Sequence, residues 1–482
     1  MSVTVLSTDI PGDRGEPELR IFDSSTSPAD PDVLAALRRG VSGADLVAPP
    51  VVLPDFHHKS KMEMPSSIAV ATAESIRPTL TSASVNCGMA LVALGSDRPT
   101  AAGVEEFYRR VRERFPYPTT YRRDLSTRDV QECALQGGRF AVDRFGVDPA
   151  ELDRVEESGS LDLDPYGGGE RLRKELPGLA WQLARMRFGT VGPSNHFVEL
   201  QEVEQIYDPQ AASLLGVTQG QLTLQYHCGG GVLTGELGAL FGNRKHRPQP
   251  LRGVMQLQKP LYHLASARSL ASLRERWDLF FRDGCPPVGL HTDEGRRLML
   301  ANAAAMNYGF AFRIATYAAL RTLAGQVFGG GLGQLVVDSP HNSVYEEDVD
   351  GKPAVVHRHN SCRAYSADRM ADHPVFGLTG QAVLLPGTNR TSSYLCVAGD
   401  QSARSLSSAC HGAGTMIEDF VRRGLSTTDA RGRTTRRFRY DDAAPTEVAH
   451  LDDRGVDEAL SILVGHGLVR PVARMRPFAV LN

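Results

Sequence analysis

Short apolar runs and amphipathic stretches alternate along the chain. From residue 50 onward, apolar runs bounded by Gly, Pro or Asn predict strands, because such residues end an extended segment. The runs are APPVVLPDF, SIAVAT, MALVAL, HFVELQEV, LTLQYHC and GQAVLLPG. Between them the spacing of apolar residues predicts helices at 103–114, 128–144, 170–186, 266–282 and about 293–325.

The order of these elements indicates the fold class. The strands and helices do not alternate regularly as in a parallel α/β protein, and the chain is not all-β, so the pattern favours an α+β fold with mixed sheets and flanking helices. The longest helical stretch, from DEGRRLML to AALRTLAG, is alanine-rich and begins with acidic residues that suit a helix N-terminus. We predict that it is a buried central helix.

The chain divides into a short N-terminal segment and one large domain. Residues 1–45 are polar and rich in turn residues around a short helix near 32–40, so we predict a loosely ordered segment. Residues 46–482 contain no long linker and no low-complexity block, which favours a single large domain.

Composition and charge exclude several classes of protein. The 482 residues are 41% hydrophobic and 23% charged, as is ordinary for a globular protein. No signal peptide or long apolar span is present, so we expect a cytoplasmic protein without a membrane partner. The seven scattered cysteines form no CxxC pair, which fits neither a disulfide framework nor a zinc ribbon. The net charge of −3 provides no global basic field, so a nucleic-acid contact would need a local patch.

Four residues at predicted strand ends could bind a transition metal. Cys87 lies in ASVNCGM, His196 in GPSNHFVEL, His227 in LTLQYHCGGG and His341 in VVDSPHNS. A thiolate and three imidazoles suit such an ion. The alternative is that each histidine is a hydrogen-bonded structural residue and that the cysteine is a small buried hydrophobe.

Alternation along HFVELQ makes a prediction about the orientation of one of these histidines. It places His196 on the same strand face as Val198 and Leu200, and it places Phe197 and Glu199 on the opposite face.

His411 lies in a different setting, LSSACHGAGTM. It precedes Gly-Ala-Gly, so exposed backbone N–H groups would lie near its imidazole. A histidine so placed can act as a nucleophile toward phosphorus, while the N–H groups stabilise the phosphate. The alternative is a tight turn with a capping histidine.

Other polar residues leave two readings open. Asp55 and His57 follow a buried strand and could belong to a site or to a polar loop. Asn307 and Arg313, on the predicted central helix, could reach a phosphate or satisfy buried partners. The segment RRGLSTTDARGRTTRRFRY, residues 422–440, could bind a phosphate backbone or form a solvated charged face.

Several long strings together resemble the RtcB family of tRNA-splicing and RNA-repair ligases. LPDFH resembles the family's MPDxH, VNCGM its C-G-M/V motif, GTVGPSNHFVELQ its GxLGxGNHFxEx and SSACHGAG its STCHGAGR. PHNSVYEEDVDGKPAVVHRHNSCRAY, GQAVLLPGTNRTSSY and VARMRPFAV match further family motifs in family order. The matches run from about residue 50 to 482 and imply an RtcB-like catalytic domain around a central metal and nucleotide site.

The resemblance also implies roles for individual residues. Mn2+ would be bound by Cys87, His196, His227 and His341. His411 would attack the α-phosphorus of GTP and carry GMP, which then passes to an RNA 3′-phosphate and is displaced by a 5′-hydroxyl. The guanylate pocket would be lined by Asn195, Phe197, Glu199, Thr388, Ser393, Ala413 and Gly414. RNA ends and GTP are thus the implied partners, and the need for an accessory activator is left open.

The chain departs from the family pattern at several charged positions. Ser84 stands where the family has a metal-binding aspartate, so one of two metal positions should be weakened, and we expect closer to one ion than two. The other departures replace cationic groups or a histidine: Gly231, Gly235, His359, Thr415 and Asn482.

Three functions are compatible with this sequence. The first is an RNA ligase that joins a 3′-phosphate or 2′,3′-cyclic phosphate to a 5′-hydroxyl through a histidine–GMP intermediate. The second is a divergent metal-dependent nucleotidyltransferase with a non-RNA or modified acceptor. The third is a catalytically silent relative that binds RNA or a protein. The retained CHGAG and NHFxE segments favour the first two, whereas the lost cations favour the last two.

Overall fold

The structure is a computed structural model. It describes residues 5–10, 16–58, 63–82, 84–95, 99–117, 124–176, 178–185, 188–192, 196–231, 233–235, 237, 252–282, 286–331 and 333–482, with the backbone alone for 5–10 and 252–257.

A long helix, Asp293–Phe328, runs through the interior and confirms the predicted central helix. The Thr292 side chain caps its N-terminus by accepting a hydrogen bond from the Gly295 N–H at 3.0 Å. Most of its residues between Glu294 and Tyr317 are buried, because other elements pack around it on all sides.

Among the described residues, the largest sheet has nine strands, seven of which form a continuous path. In spatial order, these seven are Gln334–Pro340, Cys87–Ala93, Leu222–Gly229, Phe197–Ile206, Val469–Leu481, Ser393–Ala398 and Ala382–Leu385. Thr434–Phe438 pairs in parallel with the C-terminal strand, and Thr446–Ala449 pairs with Thr434–Phe438. One face of this large sheet packs against the central helix, while the opposite face holds a second apolar cluster around Met89 and Leu91.

A second sheet has six strands in the part of the chain that the structure describes. In spatial order they are Val5–Ile10, Leu19–Ser24, Val51–His57, Ser66–Thr72, Lys352–His359 and Asn342–Val349. Two short ladders complete the strands: Ser361–Arg363 with Ser408–Cys410, and Ser75–Ile76 with Val288–Gly289. The mixture of sheets and separate helices confirms the α+β fold class.

The other α-helices of the described residues surround the sheets. They are Pro31–Val41, Ala101–Arg114, Thr127–Gln136, Gly138–Phe145, Gly168–Glu175, Gly178–Ala184, Pro209–Leu215, Arg252–Ser266, Leu270–Phe280, Gly414–Arg422 and Arg454–Gly465.

The predicted helices at 128–144 and 170–186 are each two helices. The first break lies at Gly137, whose φ of 58° ends one helix and starts the next. The predicted helix at 266–282 begins later, at Leu270, and the helix before it was not predicted.

The N-terminal segment is more ordered than its polar composition suggested. Leu19–Ser24 pairs with Val51–His57 in the six-stranded sheet, and Pro31–Val41 buries Leu34 and Leu37 beside it. The prediction of a loosely ordered segment is therefore wrong for these elements, because a few well-spaced apolar side chains suffice to anchor a strand and a helix. The domain boundary at residue 45 stays a prediction.

Within the described residues, no helix combines the length and apolar character needed to span a membrane.

Candidate functional site

Three strands of the large sheet bring polar side chains to one edge. Cys87 begins its strand and pairs with Gly229, two residues after His227. Phe197 begins the next strand and pairs directly with His227. This antiparallel register therefore brings the start of two strands and the end of a third to the same place, and their side chains meet there.

The predicted metal-binding residues form one cluster at this edge. The Cys87 Sγ lies 3.2 Å from the His227 Nε2 and 3.5 Å from the His196 Nε2. His341 follows the neighbouring strand, and its N–H donates to the Cys87 carbonyl at 2.9 Å. The His341 and His227 ring centroids are 5.1 Å apart.

His411 joins the same cluster. Its ring stacks on that of His341 with centroids 3.5 Å apart and planes inclined by 19°, and its centroid is 5.5 Å from that of His227. The candidate ligand atoms fall into two groups, each within 4.8 Å: Cys87, His196 and His227 in one, and His227, His341 and His411 in the other. The sequence-predicted nucleophile thus lies against the sequence-predicted metal ligands.

The orientation predicted for His196 is wrong. Val198 and Leu200 pack in the core beside the central helix, but the His196 ring contacts Cys87 and His227 on the opposite side. The strand begins only at Phe197, so its alternation does not extend back to His196.

The donor set suits a transition metal. Among the described residues, the two groups contain one thiol and four imidazoles and no carboxylate. Thiolate and imidazole are ligands that borderline ions accept, whereas Mn2+ is better served by oxygen ligands. A transition ion therefore fits this cluster well, and the cluster offers Mn2+ fewer hard ligands than it prefers.

Buried groups fix the backbone beside Cys87. Asn86 has φ of 55°, and its carbonyl accepts a hydrogen bond from an Arg313 amino group at 2.6 Å. Arg313 also pairs with the Asp338 carboxylate, with its Nε 2.8 Å and an amino group 2.6 Å from the same oxygen. Both partners of this ion pair are buried. Arg313 therefore satisfies buried polar groups and holds the backbone next to Cys87 in place.

Asn307 also has a structural role. Its amide oxygen accepts from the Leu161 N–H at 2.6 Å, and its amide nitrogen donates to the carbonyls of Leu135 and Leu161. It ties the central helix to two neighbouring segments and does not face the cluster through these bonds.

Glu199 is buried on the same sheet face as His227. Its carboxylate accepts from the Gln201 amide at 2.6 Å, and the Gln201 amide also donates to Gln225 at 3.2 Å. Burial raises the pKa of Glu199 to about 8, although the bond from Gln201 opposes the shift. Within the described part of the chain, the Gln201 Oε1 is buried without a hydrogen-bond partner. A ligand with N–H donors would satisfy both side chains once Glu199 is ionised.

Two loops carry the other predicted nucleotide contacts. Thr388 and Ser393 lie at the hairpin between the strands Ala382–Leu385 and Ser393–Ala398, and the Ser393 hydroxyl accepts from the Gly387 N–H at 3.2 Å. Ala413 donates to the Pro386 carbonyl at 3.3 Å, so this hairpin is joined to the loop after His411. Gly414 begins the next helix. Asn195 lies outside the described residues.

Asp55 and His57 meet the helix that follows His411. An Asp55 carboxylate oxygen accepts from the Met416 N–H at 2.8 Å, which caps the first turn of that helix. The His57 Nδ1 lies 3.3 Å from the Thr415 hydroxyl. A cavity of about 390 Å³ adjoins these residues and is closed on one side by the N-terminal segment.

The structure shows what surrounds the departures from the family pattern. Ser84 is exposed, and its carbonyl accepts from the Cys87 N–H at 3.0 Å, so it lies in a turn beside the cluster. Gly231 has φ of 53°, and a Cβ there would lie 2.8 Å from Tyr308 on the central helix, so a larger residue would displace this loop. The Asn482 side chain accepts from the Arg437 Nε at 2.8 Å.

Gly235 adjoins open space, and His359 is buried at the end of its strand. Sequence reasoning missed the Arg437 contact with Asn482, because nothing in the sequence signals the parallel pairing that brings them together.

Comparisons with known proteins agree with the sequence motifs. A family model described as tRNA-splicing ligase RtcB matches residues 40–482. A tRNA-splicing ligase RtcB of Methanopyrus kandleri is 29% identical over 418 residues, which cover 80% of this chain and 38% of that protein. Its counterpart in Archaeoglobus fulgidus is 27% identical over 376 residues, covering 74% of this chain and 70% of the relative.

An RNA-splicing ligase RtcB of Mycobacterium tuberculosis is also similar. It is 27% identical over 367 residues, which cover 73% of this chain and 76% of the relative. The chain spans only 38% of the length of the Methanopyrus kandleri and Pyrococcus horikoshii relatives.

Proposed function

Since this chain belongs to the RtcB family, we propose that it is an RNA ligase that joins a 3′-phosphate or 2′,3′-cyclic phosphate end to a 5′-hydroxyl end. In the first step a His411 ring nitrogen attacks the α-phosphorus of GTP, a P–N bond forms and pyrophosphate leaves. A 2′,3′-cyclic phosphate end is first opened by water to the 3′-phosphate. GMP then passes to the RNA 3′-phosphate as a P–O bond forms and the P–N bond breaks. The 5′-hydroxyl finally attacks that activated phosphate, loses its proton and releases GMP.

One observation carries this proposal: His411 lies within the cluster of thiol and imidazole groups. The His411 and His341 rings are stacked, and His227 contacts both. A histidine that served only as a turn cap would not need to contact two further histidines of a metal-type cluster. The structure therefore supports a nucleophile placed beside charge-neutralising groups.

Each residue of the cluster has a proposed part. Cys87, His196, His227 and His341 would hold the divalent ion, proposed to be Mn2+, which when bound neutralises phosphate charge. Arg313 holds the Asn86 carbonyl and thereby fixes Cys87. The donor set suggests that a softer transition ion would also bind here.

The nucleotide pocket is proposed to select GTP. Glu199 would accept hydrogen bonds from the guanine N–H groups once ionised, and the Phe197 ring lies beside His227 with centroids 5.8 Å apart. Asn195, Thr388, Ser393, Ala413 and Gly414 would complete the pocket. A cytoplasmic location is likewise a proposal.

A second candidate function is favoured by a specific observation. Among the described ligand groups no carboxylate is present, and Ser84, Thr415 and Asn482 carry no charged side chain where the family has one. A nucleotidyltransferase that uses His411 on an acceptor other than RNA ends would tolerate these changes. A catalytically silent RNA-binding or protein-binding relative would tolerate them too, but it would not require His411 in the cluster.

An RNA-joining assay tests the proposal. Two oligoribonucleotides, one with a 3′-phosphate and one with a free 5′-hydroxyl and a label at its 3′ end, are incubated with GTP and Mn2+. We expect a joined product with the unaltered protein and none with His411→Ala or Cys87→Ala. The matched controls are His291→Ala, at an exposed histidine, and Cys133→Ala, at a buried cysteine in the helix Thr127–Gln136. GMP transfer to His411 without joining would favour the second candidate.

A further inference from the structure

The arginine-rich segment 422–440 divides into neutralised and unneutralised side chains. Arg422 and Arg423 both pair with Asp419, at 2.5 Å and 3.0 Å. The other neutralised side chains also pair with carboxylates: Arg431 with Glu204, Arg433 with Asp429 and Glu204, and Arg436 with Glu105 and Glu447. These arginines belong to a solvated, paired surface.

Arg437 and Arg439 differ from the others. In the described portion of the chain, no carboxylate oxygen lies within 4.0 Å of either guanidinium, and Arg439 is exposed. The Arg437 Nε donates a hydrogen bond to the oxygen of the neutral Asn482 side chain at 2.8 Å. Burial first, and then the positive charge of Arg439, lowers the pKa of Arg437. The Asp442 carboxylate opposes this shift from beyond ion-pair distance, so the two close positive charges are only partly compensated, and an anion placed between them would relieve their repulsion.

The two arginines lie close to the edge of the large sheet that carries the metal-type cluster. Arg437 pairs with Val480 in the parallel ladder, and Val480 pairs with Glu199 in the antiparallel ladder. Neighbouring strands are about 4.8 Å apart, so the Arg437 backbone lies roughly 10 Å from that of Glu199. A chain that reaches the cluster from this side therefore passes Arg437 and Arg439.

One exposed and one partly buried aromatic ring lie next to these charges. Tyr440 follows Arg439 directly, and its hydroxyl donates to the Val191 carbonyl at 2.8 Å, five residues before His196. Tyr117 is 43% exposed, with its ring centroid 5.8 Å from that of Tyr440. Single-stranded nucleic acids combine phosphate contacts with base stacking on such rings.

We propose that Arg437, Arg439 and Tyr117 form a binding surface for single-stranded RNA next to the reacting end. The two guanidiniums contact phosphates of the RNA backbone, and a base stacks on the Tyr117 ring. This proposal adds an RNA-binding surface to the proposed ligase function. It rests on that function because the reacting RNA end must reach His411. An acidic protein segment would satisfy the guanidiniums but would gain nothing from the exposed ring, which is why RNA is the favoured partner.

RNA binding without GTP tests the surface separately from the chemistry. The probe is a fluorescent single-stranded oligoribonucleotide with a 3′-phosphate, followed by anisotropy over a series of KCl concentrations. Each phosphate contact contributes about 0.7 to the slope of log affinity against log salt. For Arg437→Ala/Arg439→Ala we therefore expect a slope smaller by about 1.4 and affinity about 25-fold weaker at 0.1 M salt.

Matched variants separate the surface from net charge and folding. Arg109→Ala/Arg110→Ala removes the same charge from two arginines that already pair with Glu106, and it should change affinity less than twofold. Arg437→Lys/Arg439→Lys should keep most of the salt slope. Tyr117→Ala should weaken binding, whereas Tyr207→Ala, at a tyrosine that is 40% exposed, should not.

The outcomes distinguish this surface from the proposed function. Equal losses in the two double alanine variants would overturn the surface. So would unchanged RNA affinity together with weaker GMP transfer to His411, because Arg437 would then belong to the nucleotide pocket. A selective loss of RNA binding in a protein that forms no His411 adduct would support the surface and defeat the proposed ligase.

Discussion

The buried ion pair behind the cluster permits a quantitative test of the link between fold and metal binding. Arg313 pairs with Asp338 and also donates to the Asn86 carbonyl, one residue before Cys87. Arg313→Met keeps the length of the side chain but removes both contacts. It would leave a buried carboxylate without its cation and a carbonyl without its donor.

The magnitudes follow from the burial of both partners. The Arg313 and Asp338 side chains are 0% and 1% exposed, so solvent cannot replace the lost partner. Breaking such a pair costs about 3–5 kcal/mol, whereas replacing both members with apolar residues is often nearly neutral. Arg313→Met/Asp338→Leu should therefore recover most of the stability. The Asn86 carbonyl loses its donor in both variants, which lowers the free energy of unfolding by about 1–3 kcal/mol.

The assay compares chemical denaturation with metal titration in the two variants. The single variant should lose stability strongly and the double variant weakly, yet both should bind the ion about 10–100-fold more weakly because Cys87 is no longer held. An alteration elsewhere in the core, Phe107→Leu in the helix Ala101–Arg114, serves as the control for general loosening. A double variant as unstable as the single one would refute the ion-pair reasoning. Full recovery of metal affinity in the double variant would refute the link through Asn86.

Three further predictions address the departures and the nucleotide pocket. Ser84→Asp supplies a hard anionic ligand beside Cys87 and should raise the bound ions per chain toward two, counted by elemental analysis after dialysis; an unchanged count would contradict it. Burial raises the pKa of Glu199 to about 8, and guanine N–H donors need the ionised form, so the affinity for GTP should rise as the pH increases through about 8 and level off above that range. Glu199→Gln should abolish this dependence, and a pH-independent KM for GTP in the unaltered protein would refute it. Gly231→Arg introduces a side chain at φ of 53° against Tyr308, so the free energy of unfolding, measured by chemical denaturation, should fall by about 1–3 kcal/mol. An unchanged denaturation midpoint would show that the loop adapts.

Much of the architecture could be predicted from sequence because local patterns determine it. The apolar runs at MALVAL and LTLQYHC became neighbouring strands, and the alanine-rich stretch became the helix Asp293–Phe328. The breaks at Gly137 and before Leu270 were missed because the apolar spacing continues past two local signals, a glycine at 137 that adopts a positive φ and the Ser269 side chain that caps the next helix. The pairing of Leu19–Ser24 with Val51–His57 was missed because it depends on distant residues.

The candidate site was likewise predicted in part and missed in part. Motif strings identified Cys87, His227 and His341 as residues that would meet, and the structure brings them together. The sequence left Arg313 between two readings, because its partner Asp338 lies 25 residues away and only the fold shows that they meet. The orientation of His196 failed because strand alternation was applied one residue beyond the strand.

The most direct test of the central claim is covalent transfer of GMP to His411. The protein is incubated with α-labelled GTP and Mn2+, and separately with α-labelled ATP, and the label retained on the chain is measured before and after acid. We predict an acid-labile adduct with GTP that is absent in His411→Ala and present in His291→Ala. No adduct with either nucleotide, or an adduct that persists in His411→Ala, would contradict the account.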